Sequence, residues 1–199
     1  VFLEFHANHS IETEIDFCRS IFEAHDVERF EIATAESGGT DAAATEELDV
    51  AMDDLWTARE ELAYAIQSYD PDRDPNHPGD VTVPISAYPD IVRFAKERGR
   101  EAGLVVPCYG HAGDGNLHYT ILVDPDDPEQ VERGEAIYRD VVQFAIDHGG
   151  TATGEHGIGL GKRHFMEPEH GADAVSVMRS IKDALDPKGT LNPGKIFPE

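Results

Sequence analysis

The sequence predicts an α+β domain, an antiparallel sheet flanked by helices. Strand-like and helical stretches alternate along 199 residues, but too few strands run consecutively through long crossovers for a doubly wound parallel sheet. A glycine-rich turn between two strand-like runs, at residues 110–116, reads as a hairpin. With 40 % hydrophobic residues the chain can bury a core of its own.

The elements follow in order. Val1 to Phe5 reads as a strand, and an opening without Met reads as a piece of a longer polypeptide. Ile11, Ile15, Cys18 and Phe22 recur at helical spacing, which makes Cys18 a core residue. Val27 to Thr34 is a second strand. After the Ser37-Gly38-Gly39 break, an acidic helix runs from about Asp41 to Gln67, burying Leu48, Met52, Leu55, Trp56 and Leu62. Asp70 to Asp80 carries three prolines and reads as a loop before the short strand Val81-Thr82-Val83. A helix over 88–102 leads to a strand over 104–109, and the hairpin partner spans Leu117 to Val123. A helix from Pro128 to Asp147, a glycine-rich loop to Lys162 and a helix from Ala172 to Leu185 complete the chain. The last is expected to turn Val175, Met178, Ile181 and Leu185 inward.

Charge excludes one class of partner. Forty Asp and Glu against 16 Lys and Arg leave a formal −24, which repels phosphate backbones and argues against nucleic-acid binding. Acids spread along the whole chain, with five lysines among the bases, suit a halophilic protein whose carboxylates are screened by molar salt. No apolar run reaches the roughly 18 residues of a membrane helix. Two cysteines, Cys18 and Cys108, make no disulfide framework, so a reducing, cytoplasmic setting is expected.

Chemistry concentrates in two loops. Gly110-His111-Ala112-Gly113-Asp114-Gly115-Asn116-Leu117-His118 places a histidine at each side of the hairpin turn. Gly154-Glu155-His156-Gly157-Ile158-Gly159 sets a carboxylate beside an imidazole. Two histidines and a carboxylate are the ligand set of catalytic zinc and of the iron facial triad; alternatively, the histidines cap the hairpin and Glu155 is solvated. Gly157-x-Gly159-x-Gly161-Lys162 lacks the first glycine and the Ser/Thr of a phosphate loop. Lys162 and Arg163 read equally as anion ligands or surface cations. Asp70-x-Asp72-x-Asp74 lacks the glycine and glutamate of a calcium loop.

Those two loops, with Asp186-Pro187-x-Gly189-x-Leu191-Asn192-Pro193-Gly194-Lys195, Leu55-Trp56-x-x-Arg59-Glu60 and Asp80-Val81-x-Val83-Pro84-x-Ser86, resemble the C-terminal domain of FAD-linked 2-hydroxy-acid oxidoreductases. These are of the D-lactate dehydrogenase and glycolate oxidase large-subunit type, in the vanillyl-alcohol-oxidase superfamily. The resemblance covers nearly all of residues 1–199 and implies a ferredoxin-like cap domain. It places the FAD-binding domain elsewhere in the same polypeptide and leaves the isolated chain inactive.

It further implies that His111, His118 and Glu155 ligate zinc or a similar divalent ion and that His156 is the base. Arg59 and Asn116 would hold the substrate, and Asn192 and Lys195 would lie near the flavin. The reaction implied is oxidation of a small 2-hydroxy acid, D-lactate or glycolate, with hydride passing to FAD. Relatives acting on 2-hydroxyglutarate carry a lysine in the strand that here reads Val81-Thr82-Val83-Pro84, which favours a monocarboxylic substrate. The electron acceptor stays unidentified; the protein could sit at a membrane through it, and a homo-oligomer is open. Two alternatives stand beside this reading: a self-contained metal-dependent hydrolase, and a non-catalytic subunit that kept the fold.

Overall fold

A computed structural model describes residues 12–25 and 52–198, together with residues 3, 27, 30 and 32. The chain divides into two compact units, Val1–Ala65 and Ile66–Glu199. Of the expected strand Val1 to Phe5 only Leu3 is described, exposed and in no strand; the glycine break at 37–39 and the acidic helix as far as Leu48 lie outside the described residues.

The first unit contributes α1 (Glu12–Glu23) and α2 (Met52–Glu60), and the boundary between the units falls within α3 (Leu62–Gln67). The predicted long helix is therefore interrupted at Glu61, where the chain turns. The expected burial of its apolar stripe is corrected: Trp56 is 42 % exposed, and Leu62 is exposed as well. Periodicity identifies the apolar face of a helix, but not whether anything covers it. For the same reason Cys18 is half-buried rather than a core residue. Of the expected strand 27–34, the described residues Val27, Phe30 and Ile32 lie in no strand; Phe30 instead packs against Phe22, ring centroids 5.7 Å apart.

The second unit holds a three-stranded antiparallel sheet in the order β1-β3-β2, formed by β1 (Asp74–Thr82), β2 (Cys108–His111) and β3 (Asn116–Val123). Strand β1 overturns the loop expected at 70–80. Its prolines are tolerated because β1 lies at the edge of the three strands and is bulged between Asn76 and Gly79. Helix α4 (Tyr88–Ala102) joins β1 to β2, and α5 (Pro128–Asp147) follows β3. Beyond α5, Thr151 pairs with Thr82 on the free side of β1. This is the βαββαβ order of a ferredoxin-like fold, with its last strand reduced to one bridge.

Local signals fix both sheet-packing helices. Asp127 caps α5 by accepting from the N–H groups of Glu129 and Gln130 at 3.0 and 3.3 Å, ahead of Pro128. Helix α4 opens with a proline and closes on left-handed Gly103. Alternation along β3 puts Leu117, Tyr119, Ile121 and Val123 into one core with Ile91 and Ala95 of α4 and Ile137, Val141 and Val142 of α5. Each fully buried Ile or Leu there contributes about 1.5–3 kcal/mol. The same alternation turns His118 to the opposite face.

The final segment contains α6 (Met166–His170) and α7 (Ala172–Leu185). On α7 only Val175 is fully buried; Ile181 and Leu185 are 56 % and 79 % exposed, against the inward orientation expected. No described helix is long and apolar enough to cross a membrane.

Candidate functional site

The site forms on the sheet face opposite α4 and α5. Strand register sets Asp80 of β1 beside His118 of β3, and Tyr109 of β2 beside His118 on its other side. His111 ends β2, and a tight turn through Gly115, at φ 73°, returns the chain into β3. A side chain at Gly115 would be strained there and would also run into the Val83 carbonyl. The loop at 153–162 then covers this corner of the sheet.

Asp80 organises that loop. It is 0 % exposed, and its Oδ2 accepts from the backbone N–H groups of Gly154, Glu155 and His156 at 2.9, 3.0 and 2.8 Å. Thr153 Oγ1 donates to the same oxygen at 3.0 Å, and Lys162 Nζ lies 3.5 Å away. Lys162 Nζ also donates to the Asp80 carbonyl at 2.6 Å. Asp80 Oδ1 accepts from Asn116 Nδ2 at 2.8 Å. Burial alone would raise the Asp80 pKa; the N–H of His156, the Asn116 amide, the N–H of Glu155 and the Lys162 charge together hold it well below the ordinary carboxylate range. Lys162 is lowered by burial, with Asp80 opposing the shift.

Glycine is required at 154. A Cβ at this position would run into Asn116 Nδ2 and come within 2.7 Å of Asp80 Oδ1 and Thr82 Oγ1.

With the loop so held, Glu155 Oε1 lies 3.0 Å from His118 Nε2 and 3.8 Å from His111 Nε2. His156 Nε2 is 3.8 Å from the same oxygen, and its ring stacks on His118 at 5.0 Å between centroids, 14° from parallel. The structure thus brings together His111, His118, Glu155 and His156, with one ligand atom from each of the first three within 4.8 Å of the others. Two imidazole nitrogens and a carboxylate oxygen at these separations fit a divalent cation of the zinc type. Asp80, His118 and His156 also converge; there Asp80 Oδ2 is already filled by four N–H and O–H donors, while Oδ1 accepts from Asn116. His118 is nearly buried; burial lowers its pKa, Asp80 opposes, and the nearby His156 adds to the lowering.

The remaining sequence-predicted residues fall elsewhere. Asn116 is buried beside the cluster, but its Nδ2 is used by Asp80 and by the Val81 carbonyl at 3.2 Å. Its Oδ1 has no hydrogen-bond partner, so what Asn116 offers a substrate is an acceptor. Arg59 lies on α2 in the first unit, exposed. Asn192 and Lys195 are exposed on the tail after α7. That tail is tied to the 153–162 loop where Ile196 N–H donates to the Gly159 carbonyl at 2.8 Å and Arg163 Nη1 to the Gly194 carbonyl at 3.3 Å. Two histidines outside the cluster have structural roles: His148 packs on Phe144 at the end of α5, and His164 packs on Phe165.

Sequence reasoning missed two members of the site. Asp80 entered only as part of a motif, and Lys162 is a buried partner of Asp80, neither an anion ligand nor a surface cation. The signal for Asp80 was present: strand alternation sets Asp80 and Thr82 opposite the apolar Val81 and Val83. Lys162 carries no local signal, because its partner is 82 residues away.

Residues 1–196 match the family described as FAD linked oxidases, C-terminal domain. The chain is 36 % identical over 198 residues to "Probable D-lactate dehydrogenase, mitochondrial" of Danio rerio, covering 99 % of this chain and 37 % of that protein. It is 49 % identical over 118 residues to "D-lactate dehydrogenase [cytochrome], mitochondrial" of Kluyveromyces lactis, covering 59 % of this chain and 20 % of that one. It is 31 % identical over 173 residues to "Glycolate oxidase subunit GlcD" of Escherichia coli, covering 87 % and 34 %. The chain therefore spans about a third or less of the length of these relatives. Among solved structures it is similar to a 4-ethylphenol oxidase from Gulosibacter chungangensis, with a TM-score of 0.61 and 22 % identity, over 95 % of this chain and 37 % of that one. That likeness concerns the fold.

Proposed function

The chain belongs to the family of C-terminal domains of FAD-linked oxidases, and on that footing we propose that it is the substrate-side part of an FAD-dependent oxidoreductase. The reaction is oxidation of a small 2-hydroxy acid, D-lactate or glycolate, to the 2-oxo acid. All of residues 1–199 serve as one cap domain, and the FAD-binding domain lies elsewhere in the same polypeptide. The observation that carries this reading is the convergence of His111 Nε2, His118 Nε2 and Glu155 Oε1 beside a further imidazole, His156.

Each residue then has a chemical task. His111, His118 and Glu155 hold a divalent cation, zinc first. When bound, FAD supplies the acceptor for the hydride from C2, and the cation supplies Lewis acidity at the substrate's hydroxyl and carboxylate. His156 receives the hydroxyl proton and becomes imidazolium, the general-base work that imidazole side chains perform. Asn116, whose Oδ1 has no hydrogen-bond partner of its own, helps to hold the substrate beside the cluster. Arg59 pairs with the substrate carboxylate. Asn192 and Lys195 present an exposed amide and an ammonium on the tail, donors of the type that flavin carbonyls and phosphates accept.

The test uses the full-length polypeptide in molar KCl, assayed with D-lactate and glycolate, alongside metal analysis after dialysis. Near-stoichiometric metal that disappears in the His111→Ala, His118→Ala double variant, together with lost turnover, supports the assignment. Preference for 2-hydroxyglutarate would overturn the monocarboxylic substrate. Chelator-sensitive ester or amide hydrolysis by the chain alone would transfer the site to a hydrolase.

The charge of −24 supports a halophilic, cytoplasmic protein. Its melting temperature should climb steeply between dilute buffer and molar KCl; indifference to salt removes this part of the reading.

A further inference from the structure

On its side away from β3, strand β1 carries one complete rung. Thr82 N–H donates to the Thr151 carbonyl at 3.3 Å, and Thr151 N–H donates back at 2.8 Å. A ladder continued from that pair would set Thr153 opposite Asp80. Asp80 lies two residues before Thr82 and beyond the bulge, so its carbonyl points to the same side. Thr153 N–H would be the donor to it, yet the chain does not take this course. That N–H turns to Thr151 Oγ1 at 3.4 Å, and the N–H of Ala152 goes to Glu169 Oε2 at 2.8 Å. The Asp80 carbonyl is met instead by the buried Lys162 ammonium, at 2.6 Å. Residues 154–156 then cross the face of the sheet, their N–H groups on the Asp80 carboxylate rather than along the edge.

We propose that Lys162 is a positioning residue: its ammonium fills the rung that a continued fourth strand would occupy, and so keeps residues 153–156 on the sheet face, where Glu155 meets His118. The edge course would dismantle the cluster. Along a continued strand Glu155 would stand two residues past the row of Asp80 and His118, and His156 would turn to the opposite face. A donorless side chain at 162 would leave a buried carbonyl unpaired, and the nearest donor able to satisfy it is the Thr153 N–H. Lysine suits the place because one ammonium offers three donors. One reaches the Asp80 carbonyl, and the same ammonium faces Asp80 Oδ2 at 3.5 Å. The far end of the loop is thereby tied to the residue that holds its near end.

The placement of Glu155 is a property of the metal-free chain; only the affinity part of the test rests on the cluster holding a cation. Lys162→Met keeps the apolar stem and removes every donor. Amide hydrogen exchange, followed in 1H–15N spectra, reads the loop against the sheet. In the variant the N–H groups of Gly154, Glu155 and His156 should exchange about tenfold faster, while those of β2 and β3 keep their protection. Titration with Co2+, followed by its visible absorption, should give an affinity about 10–100-fold weaker. The wild type supplies a measurement of its own. Its Lys162 ammonium, hydrogen-bonded and shut from water, should give a slowly exchanging 1H–15N signal that the exposed Lys188 does not.

A Lys162 ammonium that exchanges as fast as that of Lys188 overturns the proposal even if the variant fails to fold. So does a folded variant whose Gly154, Glu155 and His156 amides keep wild-type protection. Loss of protection running equally through β2 and β3 would mark general destabilisation and overturns it too, as does a Co2+ affinity within about threefold of wild type. A wild-type chain that takes up no Co2+ sinks the cation reading alone, and the exchange data still decide for or against Lys162.

Discussion

Two aspartates in the second unit are built alike and behave differently. Asp80 and Asp186 each gather backbone N–H groups, a threonine hydroxyl and a lysine. Asp186 accepts from Thr190 N–H at 3.0 Å, from Leu191 N–H at 2.8 Å and from Thr190 Oγ1 at 3.3 Å, and it pairs with Lys182. All of those partners lie within five residues. Those of Asp80 lie 36 to 82 residues away, on two separate segments. The first arrangement folds one turn after a helix; the second joins a strand, a hairpin and a loop into a single corner. The lesson is that one chemical device shapes a tail when its partners are local and assembles a site when they are distant.

The comparison predicts very unequal costs. Asp80→Ala strands the buried Lys162 ammonium and takes the acceptor from three loop N–H groups, and should lower unfolding free energy by about 3–5 kcal/mol. Asp186→Ala, which loses only partners within five residues of itself, should shift the urea midpoint far less. Equal shifts in the two variants would end the distinction. Gly154→Ala should cost about 1–3 kcal/mol, because the new methyl group must displace Asn116 or Asp80. It should also displace the His118 ring resonances, whereas a change confined to the loop's own resonances would mean that the corner is not coupled.

The smallest effect is a pH dependence. Hydrogen bonding to Lys182, then to the N–H of Leu191, lowers the Asp186 pKa below that of an unfolded carboxyl, near 3.9. A group depressed on folding contributes stability that is whole above the unfolded pKa and is lost as pH falls toward the folded one. The stability gap between wild type and Asp186→Asn should therefore be full at pH 5 and narrow toward pH 2 in urea titrations. A gap constant over that range would deny the depressed pKa.

What could be read in advance divides along the same line as the two aspartates. Helices α4, α5 and α7 were legible to the residue, because apolar periodicity, Asp127, Pro128 and Gly103 all act within a turn of where they stand. The loops bearing His111, His118, Glu155 and His156 were legible because their glycines and polar residues are consecutive. Strand β1 was misread because its prolines signal a break unless the neighbouring strand is known, and pairing with β3 is a long-range fact. The exposed ends of α2 and α7 show the converse error, a stripe taken for a buried face. Lys162 could not be assigned from the chain around it, since only folding brings it to Asp80.

The separation between Asp80 and Lys162 also has a temporal side. As the chain is synthesised, Asp80 emerges 82 residues ahead of Lys162. At about 5–20 residues per second this leaves it roughly 4–16 s without its final partner. Helix α4 and the β2–β3 hairpin can form during that interval, since their contacts are local, while the anion stays hydrated. The chemical corner is thus closed last, over a sheet already in register. A nascent chain halted after Val123 and before Thr153 should hold a protected hairpin beside an Asp80 side chain still open to water.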